Sequence, residues 1–208
     1  VYHQMRGDRQ ASRELAEEIA RLAKSAEEEF IAWVVLGSTA FWEGAMEDAR
    51  IAMERAMAIY RPDLHRVIAQ SFGDDACILP NCYHFFILWF LGRPDEAVRK
   101  VEETHQIVRG LPSPFIRVAF FHFEMLVWRE LRRPGEVRRV AEQYLALTRE
   151  QRNPLYAALA SCGYGWASMH CGEVESGLAQ LQTGLEDLKA LGARLPLIYY
   201  TTLLIDVY

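Results

Sequence analysis

The chain has 208 residues, 51% of them hydrophobic and 25% charged, and a formal net charge of -5. That is enough apolar chain for a sizeable core, so a folded protein is expected. Basic residues cluster no further than the pairs Arg132–Arg133 and Arg138–Arg139, which leaves no positive face for direct DNA or RNA binding.

In chain order, the first signal is a faint turn at Arg6, followed five places later by the small residue Ala11. Glu27, Glu28 and Glu29 fan around a helix and read as a solvated first turn, where carboxylates suit the positive end of the helix dipole. The apolar helix that follows carries Trp33 and Trp42 and stops at Gly44, five residues before Ala49. Ala49, Met53 and Ala56 then fall on one stripe of a milder amphipathic helix.

Residues 60–74, from Tyr60-Arg61-Pro62-Asp63 to Gly73-Asp74, read as an inserted connector. Pro80 predicts a kink or a late helix start around 80. The run over 76–91 falls short of the roughly 20 apolar residues a bilayer needs and contains Pro80, Asn81 and His84, so it reads as a buried helix. Neither a membrane span nor a signal peptide is expected.

That helix carries Trp89 and stops at Gly92, five before Ala97, and Val98, Val101 and His105 form the next stripe. Pro94 and Pro134 sit at helix starts, where the missing N–H costs nothing. Gly110 to Pro114 separates one pair from the next. Arg132 then leads to Val137 and Gly172 to Gly177, with Trp128 and Trp166 in the helices before them. The anchors near 6, 44, 92, 132 and 172 lie 38, 48, 40 and 40 residues apart. The last residues, Thr201 to Tyr208, carry no polar cap, so the chain reads as excised from a longer protein.

A strongly apolar helix before each turn and a milder one after it form the antiparallel pair of a repeat protein. The expected fold is all-α, a single domain over 1–208: a right-handed α-solenoid of four to five helix pairs.

A small residue at Gly37 or Gly165, an aromatic at Trp42 or Trp89, the turn glycine, then Ala49 or Ala97 and Ala56 resemble the tetratricopeptide repeat. The intervals are nearer 40 than 34, and Phe85 and Met125 stand where that repeat prefers glycine. Ala58 to Arg66, Phe72 to Asp75 and Trp89 to Ala97 also resemble the tetratricopeptide-like region of bacterial multidomain signalling ATPases of the adenylate/guanylate cyclase type, related to large ATP-dependent transcriptional activators. The resemblance implies a scaffold or sensing segment and carries over no catalytic residue.

Candidate chemistry is sparse. Cys77, Cys82, Cys162 and Cys171 include no CxxC pair and suit a reducing cytoplasm as buried small hydrophobes. Cys77, Cys82 and His84 have the wrong spacing for one face, and Cys162 stands too far back along a helix from His170 and Cys171 for shared ligation. No metal or other cofactor is expected. Gly163-Tyr164-Gly165 lacks the third glycine and the strand of a dinucleotide loop, and no serine has a hydrolase-elbow setting. No catalytic residue is identified, and the chain is not expected to be an enzyme.

The expected function is protein–protein interaction: a concave groove of leading helices docks a peptide or a neighbouring domain of the same parent protein. Tyr83, Asn81, Arg117, His122, Glu124 and Tyr164 are the groove candidates. The alternative is a small-molecule effector sensor with a polar pocket built on His65 and Asp74, since His65 stands among the carboxylates Asp63, Asp74 and Asp75. Leu203 and Ile205 are expected on an exposed end helix through which two copies pair.

Overall fold

Six turns among the described residues share one hydrogen-bond pattern. At Gly44, Gly92, Arg132, Arg152, Gly172 and Gly192 the backbone enters the left-handed region, with φ between 50° and 96°. In each, the amide of the following residue reaches back to a carbonyl in the last helical turn: Ala45 to Ala40, Arg93 to Leu88, Arg133 to Trp128, Asn153 to Thr148, Glu173 to Ser168 and Ala193 to Leu188. This is the Schellman closure, which satisfies carbonyls that a helix end would otherwise leave bare. Four of the six are the turns expected from sequence; Gly192 repeats them in a Leu-Gly-Ala context, and the anchor at Arg6 lies outside the described residues.

The computed structural model describes residues 9–111 and 113–207. Among these, eleven α-helices are present and no strand: α1 Arg9–Leu22, α2 Ala26–Glu43, α3 Met46–Ile59, α4 His65–Phe72, α5 Leu79–Phe90, α6 Pro94–Arg109, α7 Pro114–Glu130, α8 Pro134–Gln151, α9 Pro154–His170, α10 Val174–Ala190 and α11 Arg194–Thr201. Short 3-10 segments cover Asp74–Cys77 and Thr202–Val207. No described helix is long and apolar enough to cross a membrane. Proline opens α6, α7, α8 and α9, and Pro80 occupies the first turn of α5, so that helix starts late rather than kinking. Ser25 caps α2 by accepting from the Glu28 amide, while Glu28 accepts from the Lys24 amide, which fixes the acidic first turn.

The chain divides between Phe120 and Phe121, within α7, into two compact units. In the first, α2 packs between α1 and α3, α5 packs on α2 and α3, and α6 pairs with α5. The expected connector is itself structured: α4 and the 3-10 segment pack together, and Leu64, Ile68, Ala76 and Cys77 join Phe30, Ile31, Val34 and Ala56 in one core cluster. Pro62 and Gly73 had the look of loop punctuation, yet they bound an eight-residue helix whose apolar side faces that core. Truncating the fully buried Phe30 to alanine would cost about 3–5 kcal/mol.

In the second unit α9 lies between α8 and α10, and α11 packs on α10. α9 is buried almost all round, as expected of a sandwiched helix. Glycines bring α9 and α10 together, because a Cβ on Gly184 would lie 2.9 Å from the Ala158 carbonyl oxygen. Leu203, expected on an exposed end, is fully buried in this unit, whereas Ile205 is 75% exposed.

Candidate functional site

The residues singled out in the sequence divide into core pins and surface groups. In the first unit Tyr83 is buried against Phe41, with ring centroids 5.3 Å apart, and its hydroxyl accepts from the Trp42 indole. Burial pushes that phenol up to about 12. Tyr83 therefore presents no groove surface. Asn81 is half-buried and Arg117 exposed. His65 begins α4 with Nδ1 3.0 Å from the Tyr60 hydroxyl, and its carbonyl accepts from the Cys77 thiol at 3.9 Å. The Asp74 side chain lies outside the described residues. Asp63, the other carboxylate expected beside His65, pairs instead with Arg61 at 3.2 Å.

In the second unit Glu124 is 1% exposed and takes hydrogen bonds from the Trp128 indole and the Arg139 guanidinium, each at 3.2 Å. It is a structural acceptor inside the unit, not a groove residue. His122 has a buried Nδ1, its ring lies 6.4 Å from Tyr144, and burial pushes its pKa down to about 4. Tyr164 is half-buried, with Arg138 5.6 Å over its ring, and Arg138 is held by Glu173 at 2.6 Å. Among the groove candidates, Tyr164 alone borders a pocket described below.

Among the described residues, three pockets lie between neighbouring helices. In the first unit α1, α2 and α3 enclose an open pocket of about 270 Å³, with Leu36, Ala40, Ile51 and Ala52 as its apolar surface and Arg13, Asp48 and Arg55 at its edges. Trp33 also lines it, with the Arg55 guanidinium 4.5 Å over its ring. The Trp33 indole donates to Glu29 at 3.5 Å, and Arg13 is bonded to Glu43. A second pocket, about 390 Å³, also touches Trp33 and is lined by Ala20, Lys24, Ser25 and Ala32. In the second unit α8, α9 and α10 frame a pocket of about 290 Å³ around Tyr164, Leu145, Arg149 and Gln180.

The Trp33 pocket is absent from the expected groove residues, since Trp33 stands out in the sequence only as a marker of an apolar helix. A signal was present: Trp33 and Arg55 stand at mirror distances either side of the Gly44 turn, where an antiparallel pair brings them level.

Acid–base groups do not converge on these pockets. The closest pairing is His84 with Glu54, Nε2 to Oε1 3.1 Å, across α5 and α3. Glu54 is also clamped by Arg50 at 2.6 and 2.7 Å, so its charge is engaged in the α3 surface ladder. Among the described residues no group of three His, Cys, Asp or Glu side chains is placed to hold a metal ion.

No protein-family model matches the chain, and no curated protein matches it. A solved structure does: the crystal structure of BtubC (BKLC) from P. vanneervenii is similar, with 15% sequence identity and a TM-score of 0.62 over 91% of this chain and 77% of that one. At that identity the likeness is one of fold.

Proposed function

We propose that this chain is a non-catalytic docking module: a tetratricopeptide-like, right-handed α-solenoid of helix pairs that binds a peptide or a neighbouring domain and serves as the regulatory scaffold of a bacterial signalling protein. The Schellman turns at Gly44, Gly92, Arg132 and Gly172, followed five residues later by the buried Ala49, Ala97, Val137 and Gly177, support the repeat reading. The resemblance to multidomain signalling ATPases supports the regulatory part.

The observation that carries the docking reading is the groove over Trp33. It is open and about 270 Å³, slightly below the roughly 300–1,000 Å³ of small-molecule sites, and mixes an aromatic ring with charged edges. Such a cleft suits single side chains of a partner better than an enclosed effector, and aromatic–arginine pairs are the usual anchors of protein recognition. The effector reading has less support, because His65 is engaged by Tyr60.

Selection of short random peptides on the immobilised chain tests this. Peptides should be enriched whose binding is lost on Ile51→Asp, a change on the exposed groove wall. A chain that enriches no peptide, or whose peptides ignore that change, would refute the reading.

A further inference from the structure

We infer that the groove over Trp33 selects an acidic segment, one in which an aspartate or glutamate stands beside an aliphatic side chain. The inference rests on the docking reading and adds the chemistry of the partner.

The argument is one of charge complementarity within the groove. Arg13 is engaged: Glu43 bonds it, and Glu17 and Asp48 add to the negative field around it. Asp48 is the one carboxylate lining the pocket, and it acts on the Arg13 side of it. Arg55 differs. It is exposed, its guanidinium lies over the Trp33 ring at 4.5 Å, and among the described residues no carboxylate lies within ion-pair distance of it. Among the described residues Arg55 is therefore the groove cation without an ion-pair partner.

Position over the ring prepares that charge for a particular ligand. A guanidinium over an indole keeps N–H donors for the fork that matches the two oxygens of a carboxylate. The contact with Trp33 also restrains the long side chain, so less rotamer freedom is lost when the ion pair forms. Beside it Leu36, Ala40, Ile51 and Ala52 offer an apolar surface for a neighbouring aliphatic group. The chain's net charge of -5 repels acidic partners at long range, so the preference must arise from contact at Arg55.

The test uses the whole chain. Peptides selected from a random displayed library are sequenced, synthesised and titrated by fluorescence anisotropy against wild type, Arg55→Gln and Arg99→Gln. Arg99 is an exposed arginine of the same unit that does not line the groove. The inference expects Asp or Glu next to Leu, Ile, Val or Met in the enriched pool. It also expects roughly tenfold weaker binding to Arg55→Gln and an Arg99→Gln affinity within about twofold of wild type. Enriched peptides without acidic residues, or acidic peptides indifferent to Arg55→Gln, overturn it while leaving peptide docking intact. A library that yields no binder removes the docking reading and this inference together.

Discussion

Gly165 and Gly177 meet backbone to backbone: a Cβ on Gly165 would lie 2.6 Å from the Gly177 carbonyl oxygen, and one on Gly177 would lie 2.7 Å from the Gly165 oxygen. Neither helix can yield locally, because what blocks the methyl is main chain. Gly165→Ala and Gly177→Ala should each destabilise by about 1–3 kcal/mol or more, outweighing the roughly 1 kcal/mol of helix propensity gained. Gly163→Ala should cost less, although its methyl would run into Met125, because a flexible thioether can turn aside. Urea unfolding followed by circular dichroism ranks the three; equal costs would mean that α9 and α10 can move apart.

Arg152 closes α8 at φ 50° and ψ 42°, a conformation that costs a residue with a Cβ about 1 kcal/mol. Arg152→Gly should raise stability by about 0.5–1 kcal/mol. Gly44→Ala should lower it by a similar amount, since nothing lies within 4 Å of the added methyl and the effect is purely conformational. Calorimetry on the two variants should show melting temperatures moving in opposite directions.

The His122 imidazole, held near 4 by burial, makes folding depend on pH. Below its ordinary 6.5 the unfolded chain takes up a proton that the folded chain refuses until pH approaches 4. Its stabilising contribution is therefore complete above about pH 7 and is lost as pH falls through this window, by at most about 3 kcal/mol. His84, lowered by burial in spite of Glu54, works in the same direction. Urea midpoints measured across mildly acidic pH should fall less steeply for His122→Gln than for wild type. An identical slope would show that the native imidazole is solvated.

Leu203 and Ile205 stand two residues apart and should behave oppositely. Leu203→Ala empties a fully buried site and should cost about 2–5 kcal/mol. Ile205→Ala should change stability by no more than about 0.5 kcal/mol. End-to-end pairing of two copies is therefore tested at Ile205, where an aspartate should yield monomer by light scattering if this end pairs.

The turns were the legible part of the sequence, because a left-handed residue flanked by an apolar helix and a small residue five places on leaves a local mark. Gly192 lacks that mark, because Leu197 stands five places on and the short, apolar helix that follows reads as a tail. α4 escaped notice for the opposite reason: Pro62 and Gly73 suggested a loop, and only Ile68 and Leu64 packing on Phe30 shows the segment to be core. Of the groove candidates, Tyr83 and Glu124 are polar groups whose partners, Trp42 and Arg139, become visible only once helices are packed. The Trp33 cleft depends on three helices at once, so no periodicity along any one of them announces it.

Because each stop turn is closed by hydrogen bonds within a few residues of itself, a helix ends correctly whether or not its neighbour exists yet. Most packing then joins helices adjacent in sequence, which keeps loop closure short. We expect the chain to form hairpin by hairpin as it leaves the ribosome, the distance from one turn to the next setting how long apolar surface waits uncovered. α2 waits longer than α9, because Phe30, Ile31 and Val34 pack on Leu64, Ile68, Ala76 and Cys77, whereas α9 needs only the next helix, α10.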